Sequence, residues 1–229
     1  MKHYPVPLSV PVIFTSRRRY VYDAMDTDVT HWRLRFRICK FCFDKGLALI
    51  GLGLVAVVAL LLLFLNPFLN PGPLFFRHKR LGKKKKPFMI WKFRTMSEAT
   101  AIEQRSAEDG VENARITPLG WVMRKMRVDE LPNFINVLRG DMSVIGPRPD
   151  AANHAETYSF LIEHYDIRFK VKPGITGLAQ IESGYAEGIK ATAVKAHYDQ
   201  IYVETSCGRL DLYIALRTIR VMLTGFGAK

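Results

Sequence analysis

Gly46-Leu-Ala-Leu-Ile-Gly-Leu-Gly-Leu-Val-Ala-Val-Val-Ala-Leu-Leu-Leu-Leu-Phe-Leu65 is a run of 20 residues without one charged or polar side chain. A helix rises ~1.5 Å per residue, so the run reaches ~30 Å, about the hydrocarbon thickness of a bilayer. A core helix of that length in a water-soluble protein usually carries a polar face. This one carries none. A secretory signal is also a poor fit, because Asn66-Pro67 rather than a small-residue cleavage site follows the run. The segment reads as a retained membrane helix.

Its flanks decide the topology. Eight basic residues lie between Arg17 and Lys45, and eight more between Arg77 and Lys92. The positive-inside rule places both flanks on the cytoplasmic side, so the chain is expected to enter and leave through one leaflet. Gly51 and Gly53 are the weak points at which such a re-entrant helix would bend, although no proline lies mid-run. A true span is the alternative that the unbroken apolar run favours.

Around this helix the chain divides into three parts. Residues 1–31 are a polar, irregular leader expected to be mobile. Residues 32–73 comprise an aromatic and basic interfacial stretch (Trp32, Arg33, Arg35, Phe36, Arg37, Lys40, Phe41), the apolar run, and Asn66-Pro-Phe-Leu-Asn-Pro-Gly-Pro73, which should end any helix. Residues 74–229 are then one domain. Leu74-Phe-Phe76 and Phe88-Met-Ile-Trp-Lys-Phe93 predict the strands of a β-hairpin. Apolar spacing predicts helices over Leu119–Met126, Leu131–Leu138, Asn153–His164 and Leu210–Leu223. The last opposes Leu212, Leu216, Ile219 and Leu223 to Arg209, Arg217 and Arg220, which suits a helix lying on the membrane, with packing on the domain as the alternative. The fold class is α+β: a mainly helical domain with a small sheet and amphipathic interfacial helices, behind an N-terminal membrane helix.

The net charge is +13, from 34 basic and 21 acidic residues, and implies an anionic partner: lipid headgroups, a phosphorylated substrate or nucleic acid. Nucleic acid is disfavoured, because no aromatic–basic platform or known motif accompanies the charge. The cysteines are Cys39, Cys42 and Cys207; with no second pair beside Cys39-x-x-Cys42, those two read as helix-face residues, and the sparse count fits a reducing cytoplasmic compartment.

Asp129 and Glu130 carry the chemistry. They follow Arg124, Lys125 and Arg127 and precede Leu131-Pro-Asn-Phe-Ile-Asn-Val-Leu138. Pro132 fits only the first turn of a helix, which sets both carboxylates at that helix's N-terminus, where the dipole keeps them ionised. Such a pair can hold a divalent cation or attack as a nucleophile. On pattern alone, a helix cap with an acid pairing to Arg127 explains it equally well. Arg148, framed by Gly146-Pro-Arg-Pro149, suits bidentate phosphate recognition. Lys92 and Arg94 alternate on a strand and so should share one face. A carboxylate pair ringed by Lys92, Arg94, Arg124 and Arg148 is what phosphoryl transfer with Mg²⁺ requires.

Five segments, in order, resemble the bacterial sugar transferase family, the monotopic polyprenyl-phosphate phosphoglycosyl transferases. They are Trp91-Lys-Phe-Arg-Thr-Met96, Arg127-Val-Asp-Glu-Leu-Pro-Asn133, Asn136-Val-Leu-Arg-Gly-Asp-Met-Ser143, Gly146-Pro-Arg-Pro149 and Lys172-Pro-Gly-Ile-Thr-Gly-Leu-Ala-Gln180. The likeness runs from about Phe43 to the C-terminus. It implies that residues 74–229 are a catalytic domain on the cytoplasmic face of the bacterial inner membrane. It further implies transfer of a sugar-1-phosphate from a UDP-sugar to undecaprenyl phosphate, with release of UMP. Asp129 would be the nucleophile of a covalent aspartyl-phosphosugar intermediate. Glu130, with Asp129, would bind Mg²⁺, and Arg124 and Arg148 would contact phosphate. A homodimer through the hairpin or the C-terminal helix is left open.

Two positions depart from the family pattern. The Ser-Pro pair that breaks the family's membrane helix is matched here by Ala56-Val57, and Lys85 replaces a glycine before Lys-Pro-Phe. The competing reading is a non-catalytic membrane adaptor whose basic surface binds anionic lipid or nucleic acid; it would be indifferent to Asp129.

Overall fold

The fold is taken from a computed structural model. It describes Trp32 and residues 34–97, 112–183 and 188–224. The expected leader, and most of the charged stretch after Ser97, lie outside these residues.

The apolar run sits inside one helix, α1 (Leu34–Leu69), 36 residues long. At ~1.5 Å per residue it extends ~54 Å. It is unbroken at Gly51 and Gly53, where a bend was expected, and at Ala56-Val57, which lack the family's Ser-Pro hinge. It also runs past Pro67, which sits in its last turn, and ends with Asn70 N–H on the Asn66 carbonyl at 3.0 Å. The expectation that the proline-rich segment stops the helix at Asn66 is off by one turn. A proline that close to the end forfeits a single helical hydrogen bond, and little helix remains to be kinked.

One stripe of α1 is buried: Lys40, Asp44, Ala48, Gly51, Val55, Leu62 and Asn66. Spacings of mostly three and four residues keep them on one side of the cylinder. The opposite side is bare hydrocarbon, with Ile50 73%, Phe64 76% and Phe68 84% exposed. The stripe is bonded to the rest of the chain from end to end. Lys40 Nζ donates to Ile145 O at 2.9 Å and pairs with Asp211 Oδ2 at 2.8 Å. Asp44 Oδ1 accepts from Val144 N–H and from Ser143 Oγ, at 2.9 and 3.0 Å. Asn66 Nδ2 donates to Gly72 O, and beyond the helix Asn70 Nδ2 donates to Arg94 O, both at 2.9 Å. Buried polar groups require such partners, so these bonds fix how the helix is turned on the domain.

The predicted hairpin is present. β1 (Phe75–Leu81) and β2 (Pro87–Phe93) pair antiparallel, Phe75 opposite Phe93 and Leu81 opposite Pro87. Phe75 stacks on Phe93 at 5.3 Å and meets Trp91 edge-on at 5.8 Å. Helix α2 (Pro118–Lys125) starts at Thr117, whose hydroxyl accepts from Gly120 N–H. Helix α3 (Asn133–Arg139) then packs along α1. Its Asn136 side chain completes the free edge of β2, accepting from Trp91 N–H at 3.0 Å and donating to Met89 O at 2.8 Å. β3 (Ser143–Ile145) pairs parallel with β4 (Gly174–Thr176). Between them lie α4 (Ala152–Leu161) and a 3₁₀ turn, Tyr165–Lys170. Short α5 (Leu178–Glu182) leads to α6 (Gly188–Thr205) and α7 (Gly208–Thr224).

The main core gathers Val137, Met142, Ile145, Tyr202 and Ile214, with Ala48 of α1 among them. A second apolar cluster joins Val55 and Leu62 of α1 to Phe93 and Met123. The C-terminal helix both packs and faces out: Ile214 is fully buried, while Leu212, Leu216 and Ile219 are exposed. Cys39 and Cys42 are free and exposed on α1, as helix-face residues should be, and Cys207, free and exposed too, lies between α6 and α7.

Candidate active site

The carboxylate pair is built by a change of direction. Helix α2 ends at Lys125, and Arg127 then takes the left-handed conformation (φ 57°), uncommon for a residue with a Cβ. The chain turns back through one 3₁₀ turn, Val128–Glu130, and Pro132 caps α3. Asp129 and Glu130 therefore do stand at a helix entrance, and both are buried, at 8% exposure.

The two acids are treated differently. Glu130 is engaged on both oxygens: Lys92 donates to Oε1 at 2.9 Å, and Arg148 grips both oxygens through its two terminal nitrogens, which leaves Oε2 one acceptor site among the described residues. Burial works against its ionisation, but Arg148 and Lys92 more than offset this and hold the carboxyl well below its usual range. Among the described residues, nothing hydrogen-bonds the Asp129 carboxylate; its ion pair is with Lys92, at 3.9 Å. Burial pushes its pKa up, Lys92 pulls it down, and the neighbouring Glu130 adds to the rise. Glu130 is lowered as expected, but by Arg148 and Lys92 rather than by the helix dipole, and the expected lowering fails for Asp129. A helix of seven residues has a weak dipole, and desolvation outweighs it.

The expected ring of cations is assembled in part. Lys92 and Arg148 touch the acids. Arg124 stands behind, its Nε on Thr95 Oγ1 at 2.9 Å, and adds a smaller pull on Asp129. Arg94 is elsewhere. β2 ends at Phe93, so the alternation with Lys92 does not continue, and the Arg94 guanidinium is spent on three backbone carbonyls, of Asn70, Pro73 and Met96. It fastens the exit from α1.

The sequence reading missed three groups around Arg148. Arg80 of β1 donates to Pro149 O at 3.2 Å. Arg168 donates to Arg148 O at 2.7 Å and pairs with Asp150. A charged residue 20 positions away is indistinguishable from a surface charge in sequence, so no local signal could have found Arg168. Arg80, Lys92, Asn133 and Arg148 line an open cleft of about 250 Å³. Asn133 is 1% exposed, and its Oδ1 has no hydrogen-bond partner among the described residues.

No group of three or more His, Cys, Asp or Glu side chains capable of holding a metal occurs among the described residues. Two adjacent carboxylates do fit a Mg²⁺ ion that shares its coordination with phosphate oxygens, since Mg²⁺ commonly takes one or two carboxylates plus the substrate. They do not make a protein-only metal cage.

A buried acid pair, one carboxylate gripped by two cations and the other without a hydrogen bond among the described residues, with an apolar helix alongside, marks a membrane-associated protein equipped to handle phosphate. The comparisons name its family. Residues 35–225 match the family described as bacterial sugar transferase, to which the chain belongs. It is 41% identical over 85% of its length to a UDP-N-acetylgalactosamine-undecaprenyl-phosphate N-acetylgalactosaminephosphotransferase of Aeromonas hydrophila, of which it spans 46%. It is 38% identical over 72% of its length to a UDP-glucose:undecaprenyl-phosphate glucose-1-phosphate transferase of Klebsiella pneumoniae, of which it spans 38%. The chain thus covers less than half of these two relatives. It covers 88% of the exopolysaccharide production protein ExoY of Sinorhizobium fredii, at 34% identity.

Proposed function

We propose that this chain is a phosphoglycosyl transferase: it moves a sugar-1-phosphate from a UDP-sugar to undecaprenyl phosphate and releases UMP. This would start an exopolysaccharide, capsule, O-antigen or glycoprotein glycan on its lipid. The observation that carries the reading is the division of labour between the two acids. Glu130 is bound on both oxygens, while Asp129 is buried with no hydrogen bond to its carboxylate among the described residues.

In this mechanism an Asp129 oxygen attacks the phosphorus bearing the sugar, the phosphoanhydride bond breaks, and UMP leaves with the bonding pair. An oxygen of undecaprenyl phosphate then attacks the same phosphorus and restores the Asp129 carboxylate. Arg148 and Lys92 offset charge on the diphosphate, and Arg124 supports the ionised form of Asp129. Asp129 and Glu130 would hold Mg²⁺ together with the diphosphate, and the ion would supply further charge neutralisation.

The same reading assigns the chain to the cytoplasmic face of the inner membrane, with α1 confined to one leaflet. Its support is the polar domain fastened to α1 from Lys40 to beyond its last turn, at Asn70. Those positions are ~45 Å apart along a helix. A helix crossing the bilayer would drag this polar surface through hydrocarbon. Membrane lipid would cover the outward face at Ile50, Phe64 and Phe68.

The test is UMP release from a panel of UDP-sugars with undecaprenyl phosphate and Mg²⁺, by the wild-type protein and Asp129→Asn. Turnover that vanishes in the variant supports the mechanism. Substantial turnover by Asp129→Asn overturns the covalent route, and no release from any UDP-sugar overturns the assignment.

A further inference from the structure

The loop carrying Arg148 is held by a set of buried charges that the transfer chemistry does not use. Arg168 is at the centre, on the 3₁₀ turn Tyr165–Lys170, and is 6% exposed. Its guanidinium donates to the main-chain oxygen of Arg148 at 2.7 Å. It also pairs with the Asp150 carboxylate, and with Asp199 Oδ2 of α6 at 2.8 Å. The Tyr165 hydroxyl donates to the same Asp150 oxygen at 2.7 Å, and the Arg168 guanidinium lies over the Tyr165 ring at 4.7 Å. From the other side, Arg80 of β1 donates to Pro149 O. Gly146 N–H and Pro147 O are tied to β4, at 2.9 and 2.8 Å.

Every residue from Gly146 to Asp150 is therefore fixed by a group from a distant part of the chain. Stability alone is a weak reason to bury this network, because desolvating charges costs about as much as pairing them returns. What the network does achieve is geometric. With the backbone of Arg148 pinned on both sides, its side chain has one way to reach Glu130 and the cleft. The planar fork serves a carbonyl and two carboxylates with donors on separate nitrogens, whereas an ammonium group would offer its three donors from a single point.

We propose that Arg168 is the positioning residue for Arg148, and through it for the diphosphate of the nucleotide sugar. This rests on the transferase reading above. Arg168 itself touches no reacting atom.

The experiment compares Arg168→Lys with the wild-type full-length protein in detergent. The readouts are melting temperature, UMP affinity by calorimetry, and KM for each substrate. The expected result is a melting point within a few degrees of wild type, with the KM for UDP-sugar and the Kd for UMP each raised about tenfold. The KM for undecaprenyl phosphate should stay unchanged, and kcat should fall less than about threefold. Asp150→Asn keeps the shape of the network but weakens its hold on Arg168, and should move the nucleotide terms the same way by a smaller factor. It decides the matter if Arg168→Lys does not fold. Wild-type nucleotide affinity in whichever folded variant is measured overturns the proposal. So does an equal loss for both substrates, which is the mark of a structural role. Failure of the transferase reading is separate: the wild-type protein would then release no UMP at all.

Discussion

Lys92 Nζ stands 2.9 Å from Glu130 and 3.9 Å from Asp129, so one strand residue is shared unequally between two adjacent acids. The nearer contact holds Glu130 ionised. The farther one works against the burial that pushes Asp129 up. β2 and the 3₁₀ turn before α3 thereby set the protonation of Asp129 together.

Replacing Lys92 with Met removes that pull. The pKa of Asp129 then rises, and because the proposed mechanism uses only its ionised form, the acidic limb of the kcat/KM profile moves to higher pH. At neutral pH the rate should fall on the order of 10²-fold, as for loss of one preorganised charge contact. A pH profile of UMP release checks the sign; an unmoved acidic limb would show that Lys92 does not act on Asp129.

Arg94→Gln should damage the fold and spare substrate affinity. The wild-type guanidinium serves three carbonyls, and leaving one of them buried without a donor costs about 1–3 kcal/mol. Thermal unfolding should show the loss while the KM for UDP-sugar stays put. A raised KM with an unchanged melting point would return Arg94 to the substrate site.

Gly51 and Gly53 make a matched pair on α1. A Cβ at Gly51 would stand 2.3 Å from the Phe134 ring, whereas one at Gly53 meets nothing within 4 Å. Gly51→Leu should therefore cost about 1–3 kcal/mol by overpacking, and Gly53→Leu next to nothing. Melting curves of the two variants in the same detergent give the comparison. Equal melting points would mean that α1 and α3 do not touch as described.

Asp199 gives the stability of the protein a pH dependence. Burial raises its carboxyl to about 7 from an ordinary 3.8, with the Arg168 guanidinium working against it. An acid whose folded pKa is raised contributes most below pH 3.8, and its contribution declines as pH climbs through about 7. Asp199→Asn removes this decline, so the variant should gain on the wild type as pH rises from 4 to 8. Denaturant unfolding at both ends of that range is the measurement, and a variant that loses ground to the wild type as pH rises would contradict the assignment.

The legible features were those written in consecutive residues. The apolar run, the hairpin and the helix-entrance placement of Asp129-Glu130 each depend on a few neighbouring side chains. Lys92 and Arg148 could be named because each sits in a short recognisable segment. Arg94 was misjudged through the end of a strand, which depends on where pairing stops rather than on the alternation of side chains. Arg168, Asp150 and Asp199 became meaningful only once folding brought three separate segments together. The course of α1 was hidden for a related reason. Ala48, Gly51, Val55 and Leu62 are as apolar as their lipid-facing neighbours, so nothing in the run tells which side meets protein.

That shared stripe also determines what can be taken apart. Ala48 lies in the main core, Val55 and Leu62 close a second cluster over Phe93 and Met123, and Asp211 has Lys40 as its counter-charge. Deleting everything before Asn70 in search of a water-soluble enzyme would therefore open two cores and strand a buried acid. The helix is less a tether on the enzyme than one wall of it. Any soluble form would need that wall kept and its lipid-facing side rewritten with polar residues.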